Sequence, residues 1–285
     1  MARESDQWIK NAKQWSLVGP PLRPSAEDLR FVEAALEDAR PKAAGLRAMV
    51  LGVTPELATL RWPTATSLVA VDKSAPMIRA IWPRSGIPAG AAVVHGDWRT
   101  MPLGAGTRDV AVGDGSFNCL TFPAEYRRVS TELSNVLAPG GVLILRMFVR
   151  PVLREPIDAI VSDLWSGATR TFDAFRWRLN MHVQPTTEQG VRFGDTWDVW
   201  QSLGIDGAAL SERTGLSRER ISAIDAYRDS TTQFTFPTLQ ECRDVLAPDF
   251  DELVCWTPTY ELGDRCPTFV LRVRRTDGAA DLQVR

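Results

Sequence analysis

From residue 46 to about 150 the chain alternates short apolar runs with segments of helical spacing. The runs are "LRAMVL", "SLVAVD", "AAVVHGD", "RDVAVGD" and "GVLILRMF"; between them, stretches such as 75–82 and 124–137 suit helices. Strands that are apolar throughout must be covered on both faces, and intervening helices supply the cover. The alternation therefore predicts a parallel sheet between two helical layers. From Pro151 to about residue 235 the strand signals stop: 156–166, 171–184, 196–203 and 217–228 read as helices, and "VQPTTEQGVRFGD" is a connecting stretch with room for a hairpin. Sheet character then returns, with "TLQECRDVL" as a packing helix and "DELVCWTPTYEL" and "TFVLRVRR" as a closing antiparallel pair. The expected organisation is one α/β domain over 46–150 and 236–275, a helical cap inserted at 151–235, an N-terminal helical preface at 1–45 and a tail at 276–285.

In the preface, Ser25 is placed to cap a helix with acids in its first turn and Leu29, Val32 and Leu36 on one face. Trp8 and Trp15, seven apart, are expected to bury against the fold, with shielding of a ligand as the other reading. A net charge of −2 and 24% charged residues give no reason to expect nucleic acid or a membrane surface, so a small molecule is the expected partner. Cys119, Cys242, Cys255 and Cys266 form no CxxC pair, which argues against a zinc site or a disulfide framework and fits a cytoplasmic location. "MARESDQWIKNAKQW" lacks an apolar signal core, and the apolar run "GVLILRMFV" is short and carries Arg146, so no membrane segment is expected. Nothing in the sequence fixes an oligomeric state.

The first strand runs into "LGVTPELA". A dinucleotide fold places GxGxxG here, so that backbone and a helix N-terminus can hold a pyrophosphate. Only Gly52 stands in this chain, followed by Thr54 as a helix cap, Pro55 and Glu56. A carboxylate where a pyrophosphate would sit favours a cationic ligand over a phosphate. Twenty residues on, Asp72 ends the second strand at the spacing of a ribose-binding acid. The third strand ends in "HGDW", with Asp97 and Trp98 placed to meet an adenine by hydrogen bond and by stacking, and the fourth ends in "GDGS" at Asp114.

On "VLGVTPELA", "VAVDKSAPMI", "GDWRTMPL", "DVAVGDGSFNCL" and "LSNVLAPGGVLILR" the chain resembles the class I S-adenosylmethionine-dependent methyltransferases, over about 46–150 and 236–275. The resemblance implies a Rossmann-like sheet of parallel strands closed by an antiparallel hairpin, and S-adenosyl-L-methionine as cofactor. It implies that Gly52 admits the methionine end, Asp72 holds the ribose, Asp97 and Trp98 read the adenine, and Asp114 faces the methionine moiety or the acceptor. The family's usual first motif has an acid two residues before the glycine; this chain has Val50, and Glu56 is the candidate substitute for the missing acid.

Methyl transfer from a sulfonium needs alignment and exclusion of water more than covalent help, and a base only when the acceptor is protonated. Asp114, His182 and Tyr260 are the candidates for that base; His95, inside an apolar strand, is expected in the core. "FRWRLN" offers Arg176 and Arg178 beside Trp177, able to bind a carboxylate or stack on a ring, and "YELGDRCPTF" gathers Tyr260, Glu261, Asp264 and Arg265 as a second candidate substrate region. No spacing suggests a metal site. The expected function is methyl transfer to a small-molecule acceptor. The alternatives are another use of the sulfonium, by displacement or elimination in the aminobutyryl arm to give methylthioadenosine, and a noncatalytic binding protein on the same fold.

Overall fold

A computed structural model describes residues 15–39 and 45–274. Within it, seven strands form one sheet in the order β3-β2-β1-β4-β5-β9-β8. These are β1 Arg47–Leu51, β2 Ser67–Asp72, β3 Ala92–His95, β4 Arg108–Asp114, β5 Leu137–Arg146, β8 Phe250–Trp256 and β9 Thr268–Val273. The first five are parallel, and β9 runs antiparallel to both β5 and β8. Strand order reverses between β1 and β4, and open sheets of this kind take ligands in the crevice beyond the carboxyl ends of the strands at that point.

Period-two alternation sorts the strand side chains into two cores. Ala48 and Val50 of β1 pack with Val110, Val112 and Ile144 beneath α1 (Ala26–Ala39), which contributes Val32 and Leu36. Met49 and Leu51 pack on the opposite face with Ala111, Leu143 and Leu145, covered by Tyr126, Val129 and Leu133 of α4 (Ala124–Val136). Two shorter helices follow β1 and β2: α2, Pro55–Ala58, and α3, Ala75–Ile81. The start of α1 is a reciprocal cap: Ser25 Oγ accepts from Asp28 N at 3.2 Å, and Asp28 Oδ2 accepts from Ser25 N at 2.7 Å.

Between β5 and β8 the chain forms α5 Ile157–Ser166, α6 Phe172–Val183, α7 Phe193–Ser202, α8 Gly207–Thr214 and α9 Arg218–Ser222, a short ribbon of β6 Val191–Arg192 and β7 Gln233–Phe234, and α10 Leu239–Leu246. Helices α5 to α9 share a third core, rich in aromatic rings, whereas Cys242, Val245 and Leu246 of α10 pack with Met49 and Leu51 on the α4 side of the sheet. The ribbon corrects the expected hairpin, because Val191 pairs with Phe234 from the far end of the insertion. Helix α8 is weakly marked in the sequence: Asp206 caps it, but Leu210 is its one fully buried residue. The stretch 217–228 is not one helix but α9 followed by a 3-10 turn at Ala223–Tyr227. His95 is exposed rather than in the core, because β3 is the sheet edge. Trp8 and the tail 276–285 lie outside the described residues. Among those described, no helix is long and apolar enough to cross a membrane.

Candidate functional site

At the end of β1 the chain turns at Gly52 with φ +91°, the left-handed region that favours glycine. The turn is held against β2 through one carbonyl: Val71 O accepts from Gly52 N at 2.9 Å and from Trp98 Nε1 at 2.7 Å. A Cβ on Gly52 would stand 3.7 Å from Asp72 Oδ2 and 3.8 Å from Trp98 Cζ2. Residues from three strand ends thus meet at one point. Asp72 Oδ1 accepts from Ser74 N at 2.6 Å. Burial pushes the Asp72 carboxyl up to about 6, against the pull of that hydrogen bond, Lys73 and His95.

Two neighbouring cavities open here, of about 190 Å³ and 300 Å³, and they share Asp72, Met77, Trp98, Cys119 and Phe234 as walls. The larger one lies toward the edge strand β3, which makes it the outer of the two along the sheet, and it holds Asp97. Its carboxylate is committed to Arg99, accepting from Arg99 N at 2.9 Å and from the guanidinium, which bridges on to Glu125. Arg99 holds the Asp97 carboxyl below the usual carboxylate range. Trp98 is one of the walls that the two cavities share.

The inner cavity is lined by Gly52, Thr54, Asp72 and Asp114 from the strand ends. Thr54 occupies the cap position of α2 but makes no side-chain cap, so Pro55 and backbone bonds to the Thr54 carbonyl define that start. Glu56 is not among the lining residues. It is paired with Arg23, whose Nε donates to Glu56 Oε1 at 2.6 Å, while its other oxygen is buried without a partner. Arg23 also donates to the carbonyls of Trp15 and Val18 and lies over the Trp15 ring. Glu56 thus anchors a strap, 15–24, that crosses the cleft and contributes Trp15, Val18 and Leu22 to its wall.

Asp114 sits in a buried network. Arg146, 3% exposed, donates from Nη1 to Asp114 Oδ1 at 2.5 Å, from Nη2 to the Pro21 carbonyl and to Tyr260 Oη at 3.0 Å, and its Nε lies 3.5 Å from Asp28 Oδ1. Tyr260 Oη donates on to Asp28 Oδ1 at 3.1 Å. Burial raises the Asp114 carboxyl while Arg146 draws it back. After Asp114 the chain turns at Gly115, φ +58°, where a Cβ would stand 2.5 Å from the Phe148 ring. Only glycine lets that ring close on the strand end.

Phe148 begins the other wall. Trp177 meets it edge-on at 5.2 Å between centroids, Phe193 stacks on Tyr227 at 4.3 Å, and Phe234 packs against Phe193 at 4.8 Å. All five line the inner cavity, with Arg176 beside them. Arg176 is 3% exposed and paired to Asp173, which also accepts from Gly19 N of the strap at 2.9 Å.

The predicted residues therefore divide. Gly52, Thr54, Asp72, Trp98 and Asp114 come together, and Asp97 stands in the adjoining cavity. His182 does not join them: it lines a separate cavity with Arg178, and its Nδ1 lies 2.8 Å from the Glu155 carbonyl. Five residues beyond Trp177 on α6, it points well round the helix from the cleft. Tyr260 reaches the cleft only through Arg146, and burial raises its phenol, so it is no free base. Its neighbours brace the insertion: Glu261 accepts from Arg170 N and Thr171 Oγ1, and Arg265 pairs with Asp264 and Glu155. Arg176 and Trp177 of "FRWRLN" do reach the cleft, whereas Arg23, Arg146 and the rest of the aromatic wall were missed. A lone arginine in the apolar run "GVLILRMF" was the available signal for Arg146, since such a charge requires a buried partner.

Residues 51–145 match the family model described as a methyltransferase domain. Over 210 residues the chain is 24% identical to the malonyl-[acyl-carrier protein] O-methyltransferase of Xylella fastidiosa strain M23, covering 70% of this chain and 69% of that protein. Among solved structures, one from Rhodobacter sphaeroides described as a zinc-dependent alcohol dehydrogenase superposes with a TM-score of 0.60 at 16% identity, covering 95% of this chain and 99% of the other. The N-methyltransferase NodS of Bradyrhizobium japonicum WM9, solved with S-adenosyl-L-homocysteine, gives 0.50 at 10% identity, covering 94% and 99%. At such identities the structural likenesses show the fold alone. Among the described residues no group of three or more His, Cys, Asp or Glu is placed to hold a metal ion. Residues 51–145 thus carry a methyltransferase domain, and that domain together with the curated relative supports a methyltransferase.

Proposed function

We propose that the chain binds S-adenosylmethionine across the two joined cavities and transfers its methyl group to a small-molecule acceptor held beneath the helical insertion. The observation that carries this reading is the meeting of the Gly52 turn with the uncommitted Asp72 oxygen at the mouth of a cavity that continues into the insertion. The residues fit the ligand's charge. Around the strand ends stand four carboxylates, Asp28, Glu56, Asp72 and Asp114, against three cationic groups, Arg23, Lys73 and Arg146. A ligand with a sulfonium and an ammonium is favoured there.

Asp72 would hold the ribose hydroxyls, Asp114 the methionine ammonium, and the outer cavity beyond Trp98 the adenine. When bound, S-adenosylmethionine supplies a methyl group on a sulfonium, ready for displacement. The protein aligns the acceptor behind that methyl and keeps water out, for which the strap and the insertion provide the cover. Four free thiols suit a reducing cytoplasm.

Calorimetry with S-adenosylmethionine, S-adenosylhomocysteine and NAD tests the cofactor. Affinity for the first two no better than for NAD sinks the reading. Product analysis tests the chemistry, since S-adenosylhomocysteine reports methyl transfer and methylthioadenosine reports attack in the aminobutyryl arm.

A further inference from the structure

The inner cavity has a polar character on its insertion side that the cofactor does not use. Trp177 Nε1 and Arg176 Nε are both buried without a hydrogen-bond partner among the described residues, on side chains 4% and 3% exposed that line the cavity. Two unpartnered donors in an aromatic box are costly unless something accepts from them. The local charge has the opposite sign to that at the strand ends. Arg176 pairs with Asp173, and Arg220 stands 3.7 Å from the same carboxylate, leaving two cations to one anion. The guanidinium of Arg176 lies over the Tyr227 ring, 5.7 Å from its centroid. Around these donors stand the apolar faces of Phe148, Phe193 and Phe234.

None of the described residues that line this cavity is placed to take a proton from the acceptor. Among the described residues lining this cavity, the titratable ones are Asp72, Asp114, Cys119, Arg176 and Tyr227. Both aspartates serve the cofactor half in the reading above, the Cys119 thiol faces the Gly115 carbonyl at 3.8 Å, and burial raises the Tyr227 phenol. An acceptor that arrives already as an anion needs no base.

We infer that the acceptor is a small carboxylic acid with an apolar or aromatic body, its carboxylate received by Arg176 and the Trp177 N–H and its body packed among Phe148, Phe193 and Phe234. The inference rests on the proposed methyl transfer and specifies its substrate class. In the step itself, a lone pair of the carboxylate forms the new O–CH₃ bond as the C–S bond breaks. The electron pair of that bond stays on sulfur, and the products are a methyl ester and S-adenosylhomocysteine, with no proton released. A carboxylate matches the fork of a guanidinium, and it leaves one oxygen for the methyl while the other is held.

Matched probes decide the matter on the full chain. Cofactor affinity is measured first, and its absence would count against the proposed function rather than against the subsite. With or without S-adenosylhomocysteine, 3-phenylpropionate and octanoate are then titrated beside 3-phenylpropionamide and octanamide, which keep the body and lose the charge. We expect the acids to bind at least tenfold more tightly than the amides, and turnover with S-adenosylmethionine to yield the methyl esters. Arg176→Gln should bring acid and amide within twofold of each other. Trp177→Phe, which removes the N–H donor and keeps a smaller ring, should weaken the acids about threefold beyond any loss shared with the amides. Both variants should bind S-adenosylhomocysteine within twofold of the parent. Equal affinity for acid and amide in the unmodified protein, or no binding of either acid, overturns the inference; so does a variant that loses cofactor and acid together, which would move these donors to the methionine carboxylate. If Arg176→Gln does not fold, the probe pairs on the parent chain and Trp177→Phe carry the decision.

Discussion

The two walls of the inner cavity are built by different physics. The strand-end wall is ionic: Asp114, Arg146, Tyr260 and Asp28 form one buried network, and Glu56 with Arg23 a second pair. The insertion wall is aromatic, a set of rings from α6, α7, the 3-10 turn and β7 with Arg176 and Asp173 as its buried ion pair. Ionic partners must be placed within a few tenths of an ångström to offset their desolvation, and strand ends provide such placement. Rings need only surround a volume, and helices far apart in sequence can supply them. On the proposed reading, the first wall selects the charge of the ligand and the second its shape.

The contrast breaks most visibly at Arg146. Replacing it with Met leaves the carboxylates of Asp114 and Asp28 buried without their cation, and should cost the fold about 3–5 kcal/mol. A modest truncation in the aromatic wall, such as Phe234→Leu, should cost only about 1–2 kcal/mol. Urea unfolding of both variants compares them directly. Similar losses would mean that the ionic wall is held by packing like the other.

The same contrast explains what the sequence showed and what it hid. The sheet was legible because its parallel strands are apolar runs, of which β1 to β4 end in an acid or run into a glycine, and the candidate site residues at or just beyond those ends, Gly52, Asp72, Trp98 and Asp114, came with them. Their positions are local: one strand, one turn, one residue. Arg23 and Glu56 are thirty-three residues apart and meet only because the strap crosses the cleft, so the charge of Glu56 was visible and its partner was not. The aromatic wall had no spacing to read, since Phe148, Trp177, Phe193, Tyr227 and Phe234 come from five separate segments. His182 was misplaced for a related reason: membership of the insertion does not say which side of α6 a residue occupies.

Asp72 sharpens the comparison through pH. Its carboxyl is pushed up to about 6 in the folded chain against 3.8 as the ordinary value, so the folded state prefers the proton. That contribution is fully present below the unfolded value and is lost as pH rises through about 6. Above that pH the buried carboxylate is a cost, and Asp72→Asn should stabilise the ligand-free protein by about 1–3 kcal/mol at pH 8 and hardly at all at pH 4. Ligand binding should show the reverse dependence, because the ionised group is the better acceptor for ribose hydroxyls. Affinity of the unmodified chain for S-adenosylmethionine should fall about tenfold between pH 7 and pH 5, and the Asn variant should bind weakly without that slope. Melting curves and calorimetry over the same pH series test both. A parent affinity that stays flat through pH 6 would remove Asp72 from the ribose.

The smallest expected effect distinguishes two ways in which Glu56 can act. If its carboxylate acts on the charge of the ligand, then freeing it from Arg23 should tighten binding, so Arg23→Gln would raise affinity while Glu56→Gln lowered it. If it acts by fastening the strap, either change releases the same tether, and both should lower affinity alike. The geometry favours the second, because Glu56 does not line the cavity, one of its oxygens is taken up by Arg23, and Arg23 in turn holds the Trp15 and Val18 carbonyls. A partly exposed pair of this kind contributes roughly 0.2–1 kcal/mol, so each variant should weaken S-adenosylmethionine binding by about two- to threefold. The double variant should be no weaker than either single one, since the tether can be lost only once. Calorimetry on the three proteins reads the sign. Tighter binding by Arg23→Gln would return Glu56 to the ligand and make the strap a passive part of the wall.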